Sequence, residues 1–157
     1  MLEVDIPHFG VLRLLHLVCD VNGTLADGAE LHEGVAESIA RLRERITVHL
    51  LTSDTHGAQG RIDRELRMTA VRIPPDEPAA LFKERYLRRL GAAGCAALGN
   101  GRNDRLMLRA ARLAVAVLAG EGAAAETLAE ADIVVTSGAA ALRLLLVPAL
   151  LVATLRG

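Results

Sequence analysis

Three short stretches put chemistry-bearing residues at the ends of apolar runs. The first, His16-Leu17-Val18-Cys19, stops on a carboxylate, Asp20, followed by Val21, Asn22, Gly23 and Thr24. A strand that ends on a carboxylate, with a glycine and a hydroxyl just behind it, delivers a nucleophile to a loop able to bind phosphate. Asn-Gly between apolar runs is also the strongest short hairpin signal, because both residues tolerate positive φ, so a plain tight turn is the alternative. The second stretch, Val48 to Leu51, ends on Thr52-Ser53-Asp54-Thr55, and the third, Cys95 to Leu98, ends on Gly99-Asn100-Gly101-Arg102-Asn103-Asp104. Each loop combines small residues with carboxylate, amide or hydroxyl groups.

The elements around these loops follow from periodicity. Leu2 to Ile6 and Val11 to Leu15, separated by Pro7-His8-Phe9-Gly10, predict a small N-terminal hairpin leading to the strand that ends at Asp20. Helical spacing predicts a helix over 34–45, with Val35, Ile39 and Leu42 on one face. Short β-branched or apolar runs predict strands at 46–51, 71–73, 95–98, 113–118 and 133–135. Helices are predicted over 57–68, 77–90, 103–112 and 123–131, then toward the C-terminus. Strands alternating with helices imply a parallel sheet covered on both faces, a three-layer α/β/α Rossmann-like architecture. Ligands bind beyond the carboxyl ends of such strands, where the three loops lie.

Composition narrows the function. A chain of 157 residues is expected to form one domain, 1–157, with a single core. A net charge of −1 leaves no broad field for nucleic acid or anionic lipid, and 2% aromatic residues leave little for bases to stack on. Cys19 and Cys95 lie in apolar runs and read as buried thiols. The N-terminus lacks the pattern of a signal peptide, so a cytoplasmic location is expected. The apolar stretch 138–157 approaches membrane-spanning length, but Arg143 and Pro148 interrupt it. No membrane span is expected there: a core helix broken near Pro148, or a contact between copies in a homo-oligomer, fits better.

The loops resemble those of the haloacid dehalogenase-like superfamily of phosphatases and phosphotransferases. Its first motif is an Asp nucleophile at a strand end, a second Asp two residues on, then Gly-Thr; Asp20, Gly23 and Thr24 match, and Asn22 replaces the second Asp. Thr52 matches the Thr or Ser of the second motif. Lys83, the sole lysine of the chain, matches the lysine of the third, and Gly99 to Asp104 matches GDGxND with Asn100 in place of Asp. The run Ala114 to Ser137 is similar to the phosphorylation domain of P-type ATPases, and small soluble phosphatases of that kind are the nearest resemblance. It extends over about residues 12–137.

The resemblance implies that Asp20 forms an aspartyl phosphate, aided by Lys83 and Thr52, with Gly23, Thr24, Ser53 and Asn103 around the phosphate. It implies Mg²⁺ held by Asp20, the Asn22 carbonyl, Asn100 and Asp104. Asn103 is expected to steady Asp104 or cap the following helix. His56 is a candidate for assisting protonation, although a loop histidine is more often only solvated. His16 and His49 read as core or surface fillers, and Asp54 as ending the strand or capping the next helix rather than binding metal. An amide at Asn22 cannot relay a proton, so slow turnover or good leaving groups are expected. The alternative is a weakly active or inactive phosphate-binding regulatory module. Only a short hairpin, about 26–33, follows the first strand, and no folded insert lies between 71 and 95. No cap would then cover the site, which suits a large phosphorylated substrate or shielding by a neighbouring subunit.

Overall fold

The computed structural model describes residues 1–54 and 57–157. A two-stranded antiparallel hairpin, β1 (Leu2–Ile6) and β2 (Gly10–Leu14), opens the chain. Then come β3 (His16–Asp20), the small hairpin β4 (Ala26–Asp27) and β5 (Glu30–Leu31), α1 (Val35–Arg43), β6 (Thr47–Thr52), α2 (Gln59–Leu66) and β7 (Val71–Arg72). The second half is α3 (Ala79–Leu90), β8 (Cys95–Gly99), a 3₁₀ turn (Arg102–Asp104) with α4 (Arg105–Ala110), β9 (Leu113–Val117), α5 (Ala125–Leu128), β10 (Ile133–Val135), α6 (Gly138–Leu146) and α7 (Pro148–Leu155).

The main sheet has six strands in the order β10-β9-β8-β3-β6-β7, all parallel. From β3 the chain steps outward to β6 and β7, then returns across β3 to β8 and continues the other way. The central strand is therefore the topological switch point, the place where a doubly wound sheet opens a crevice at its carboxyl end. Between β3 and α1 stands only the β4–β5 hairpin, and between β7 and β8 only α3 with its short flanks, so the carboxyl end of the sheet carries no inserted cap.

Alternation along the strands decides what each face meets. Leu17 and Cys19 of β3, Ala96 and Leu98 of β8, and Leu113, Val115 and Val117 of β9 pack with α1, α6, α7 and the N-terminal hairpin. Val18, Ala97, Ala114 and Ala116 point the opposite way, against Leu87 of α3 and Met107 and Leu108 of α4. Alanines on that second face let α4 approach β8 and β9 closely. Asp20 shares the parity of Val18, so its side chain leaves the strand toward α3.

The C-terminal stretch is broken at Pro148: α6 and α7 are bent by 102°, and among the described residues no single helix is long and apolar enough to cross a membrane. Proline has no N–H to continue α6 but suits the first turn of α7. Helix α1 runs as expected, with Val35, Ile39 and Leu42 buried. The helix expected over 103–112 begins as a 3₁₀ turn, and the one expected over 123–131 is four residues long.

Gly138, the first residue of α6, lies against the loop after β3: a Cβ there would overlap the Thr24 carbonyl oxygen. Alanine gains at most about 1 kcal/mol over glycine in helix propensity, whereas overlap with backbone that cannot rotate away costs about 1–3 kcal/mol. Gly138→Ala is therefore expected to lower the denaturant midpoint at an unchanged m-value.

Candidate active site

Asp20 sits at the carboxyl end of β3, with its strand neighbour Cys19 beside Leu98 and Asp20 itself beside Leu51. Lys83, one turn into α3, donates to Asp20 Oδ1 at 2.6 Å and to Asp104 Oδ1 at 2.6 Å. Lys83 is 1% exposed, Asp20 7% and Asp104 0%, so the ammonium bridges two carboxylates almost out of water. Asp104 Oδ2 accepts the backbone N–H groups of Asn100 and Gly101, both at 3.0 Å. Those two bonds steady Asp104, the part expected of Asn103.

Burial pushes the Asp20 carboxyl up to about 7; the Asp104 charge adds to the rise, and Lys83 and Thr24 oppose it. For Lys83, burial works against the charged form, but Asp20 and Asp104 outweigh it and hold the ammonium above its ordinary value. A carboxyl raised toward neutrality beside an ammonium held in its charged form results.

The loop after Asp20 folds back on itself. Thr24, Leu25 and Ala26 all direct their N–H groups at the Val21 carbonyl, and Gly23 N–H donates to the Ala26 carbonyl. Gly23 has φ +76°, which demands glycine there, and the Glu121 carboxylate end occupies the space beside it. The Thr24 hydroxyl, fully buried, lies 3.2 Å from Asp20 Oδ2 and 3.2 Å from Asn100 Oδ1. It bridges protein groups and does not face the open loop.

Asn100 spends its amide on the other side: Nδ2 donates to Glu121 Oε1 at 2.8 Å and to the Gly122 carbonyl at 3.2 Å. Glu121 comes from a turn beyond β9, closed by the Gly122 N–H to the Ala119 carbonyl. The sequence reading missed this residue. Its signal was there: Gly120-Glu121-Gly122 stands at the carboxyl end of a parallel strand, where the other site loops were sought.

Thr52 is buried one residue past Leu51, and its hydroxyl accepts the Asp54 N–H at 3.0 Å, so its own proton is directed elsewhere. Ser53, Asn22 and Asn103 are exposed at the same edge. Asn103 makes no side-chain bond to Asp104 and does not cap α4. It lines a cleft of about 390 Å³ with Pro78, Ala79 and Arg102. Asp54 accepts the N–H of Gln59 at the start of α2, as a capping group would. His56 lies outside the described residues. His16, at the start of β3, and His49, level with Val18, are bonded to each other at 3.1 Å, and His49 to the Tyr86 hydroxyl at 2.9 Å. Both cysteines are buried and free, and burial raises their thiols, so neither is a nucleophile at neutral pH.

Whether the residues suit a divalent cation is decided by the donor set. Asp20 Oδ2, Asn100 Oδ1 and Thr24 Oγ1 converge with a single hydroxyl proton among them, so acceptors outnumber donors there. Carboxylate, amide and hydroxyl oxygens are hard ligands of the kind Mg²⁺ takes. Among the described residues no three His, Cys, Asp or Glu side chains form a metal cluster, so a cation here would depend on amide and backbone oxygen as well. The set fits a hard cation.

Comparison with known proteins agrees with this geometry. A family model described as haloacid dehalogenase-like hydrolase matches residues 5–112, more than half of the chain. No curated protein matches. Among solved structures, the 3-deoxy-D-manno-octulosonate 8-phosphate phosphatase of Moraxella catarrhalis, in complex with magnesium and phosphate ions, has a TM-score of 0.67 at 19% identity, covering 85% of this chain and 86% of that one. The cobalt-bound deoxy-D-mannose-octulosonate 8-phosphate phosphatase of Haemophilus influenzae has a TM-score of 0.66 at 19% identity, covering 83% and 84%. The corresponding Yersinia pestis enzyme has a TM-score of 0.65 at 19% identity, covering 96% and 94%. At such identities the structures speak for the fold alone, and the family model carries the assignment: the chain belongs to the haloacid dehalogenase-like hydrolases.

Proposed function

We propose that the chain is a Mg²⁺-dependent phosphatase or phosphotransferase that works through an aspartyl phosphate on Asp20. The observation that carries this reading is the buried Asp20 carboxylate at the switch point, paired with Lys83 at 2.6 Å and tied through Thr24 to Asn100. One Asp20 oxygen attacks phosphorus while the bond from phosphorus to the leaving oxygen breaks, and that oxygen keeps the electron pair. Water then attacks the same phosphorus and the bond to Asp20 breaks, which regenerates the carboxylate and releases inorganic phosphate; the proton the water loses goes to solvent, and the leaving oxygen takes its proton from solvent. Lys83 offsets negative charge on the phosphoryl oxygens, and the Thr52 hydroxyl, already accepting from Asp54, donates to one of them. Asp20, Asn100, the Asn22 carbonyl and Asp104 are the residues that would hold Mg²⁺. When bound, the cation adds Lewis-acid neutralisation of the phosphoryl group.

The substrate class is a phosphomonoester. The named structural neighbours act on a sugar-acid phosphate, and only the phosphomonoester group is carried over to this chain. The resemblance to small P-type-ATPase-like phosphatases belongs to the same proposal. With no cap over Asp20, the site suits a bulky phosphorylated partner or shielding by a second copy of this chain.

Trapping tests the reading. With Mg²⁺ and beryllium fluoride, or with a small acyl phosphate, mass spectrometry should find a modified Asp20. Folded protein that shows neither adduct nor Mg²⁺ binding would leave only the phosphate-binding regulatory module.

Asn22 predicts the rate. An amide can neither protonate a leaving group nor activate water, and that help is worth about 10²–10⁴ in rate. Asn22→Asp is therefore expected to speed aryl-phosphate hydrolysis by about 10²-fold, the lower end of that range. Alkyl phosphates, whose leaving groups need a proton more, should gain most. Equal or slower turnover in the folded variant would remove the proton-relay argument.

A further inference from the structure

Glu121 belongs to no motif identified in the sequence, yet its carboxylate reaches the centre of the site. Its Oε1 accepts from Asn100 Nδ2 at 2.8 Å and occupies the space a Cβ on Gly23 would need. The Asn100 amide has two protons, and both are taken, by Glu121 and by the Gly122 carbonyl. With two acceptors on that side, the amide has one favourable orientation: nitrogen toward the turn, Oδ1 toward Thr24 and through it Asp20. A neutral amide is a poor substitute for a carboxylate at a cation site unless its oxygen faces the cation. The turn at Ala119–Gly122 enforces that facing.

Charge points the same way. Asp20 and Asp104 share one ammonium, that of Lys83, which leaves a single net negative charge in the buried group. Glu121 adds a second negative charge through one hydrogen bond to Asn100. We propose that Glu121 is the positioning residue that makes Asn100 serviceable at this site, orienting the amide oxygen and supplying, at one remove, the negative charge that Asn100 lacks. The inference rests on the cation reading above and extends it to a residue outside the motif set. Partners of ligating groups ordinarily contribute about 10- to 100-fold to metal affinity.

Titration calorimetry of the metal-free protein with Mg²⁺ alone tests it. Glu121→Gln removes the charge and is expected to weaken binding about tenfold or more, with an unchanged unfolding midpoint in EDTA because the residue is exposed on a turn. Asn100→Asp in the Glu121→Gln background puts a carboxylate back at the ligand position and should return affinity to the wild-type level or above. Wild-type affinity in Glu121→Gln, or no recovery in the double variant, overturns the role of Glu121 and leaves the phosphatase reading standing. Wild-type protein that binds no Mg²⁺ overturns both.

Discussion

Replacing Lys83 by methionine is expected to be the most destabilising single change in the site, by about 3–5 kcal/mol, the cost of removing one partner from a buried ion pair. The wild-type ammonium holds Asp20 and Asp104 together at 2.6 Å each, with all three groups nearly dry. Methionine fills the volume but leaves two carboxylates facing each other without a cation. For a chain of 157 residues this corresponds to a fall of roughly 6–20 °C in the unfolding midpoint, at about 2–4 °C per kcal/mol. The pH dependence has a definite sign. The Lys83 pKa is raised on folding, so its stabilisation is complete at every pH below the ordinary lysine value and fades only as pH rises past the folded one. The deficit of Lys83→Met should therefore be full at pH 8 and shrink toward pH 5, where the abandoned carboxyls take up protons. Thermal unfolding in EDTA at both pH values measures it, and a variant as stable as wild type at pH 8 would show that the carboxylates find another cation or water.

Asp20→Asn should cost function and gain stability. Removing a nucleophile that acts with its neighbours as a unit lowers turnover by about 10⁴-fold or more, and no adduct should form with beryllium fluoride. Stability moves the other way. The folded Asp20 carboxyl is raised, mainly by burial, from 3.8 to about 7. Between those values the folded chain binds more protons than the unfolded one, so wild-type stability falls as pH rises through the window. An uncharged amide escapes that cost, and Lys83 keeps Asp104 as its partner. The variant should melt above wild type at pH 8, with the gap closing toward pH 4. A lower midpoint at pH 8 would mean that the Lys83–Asp20 pairing outweighs the burial of charge.

Asp20, Thr52 and the Gly99–Asp104 loop were legible because short apolar runs alternating with helical spacing specify a parallel sheet, whose geometry selects one set of ends. Strand parity sends Asp20 to the face that α3 covers, where the structure brings Lys83 to it. Asn103 was misjudged because the backbone N–H groups of Asn100 and Gly101 do the work assigned to it, and a sequence displays side chains, not backbone donors. Glu121 was missed because its part depends on a four-residue turn that brings a distant loop over Gly23. The length of α5 was overestimated because alanine-rich sequence favours helix wherever tertiary packing permits, and here the Asn100 carbonyl and the approach to β10 confine it.

The switch-point topology also orders events in time during synthesis. Asp20 emerges early and can pair with β6 soon after, but Lys83 lies 63 residues downstream and Asn100 is 76 residues beyond Thr24. Until those segments leave the ribosome, Asp20 has no cation beside it, and the face carrying Val18 and Leu51 waits uncovered for α3 and α4. Non-local parallel pairing of this kind closes slowly because the loop entropy is lost before the contacts repay it. The Asp20–Lys83–Asp104 cluster is thus among the last features to form on a strand that is among the first to appear, and a chain cut short before Asp104 presents the Asp20 carboxylate without the groups that surround it in the fold.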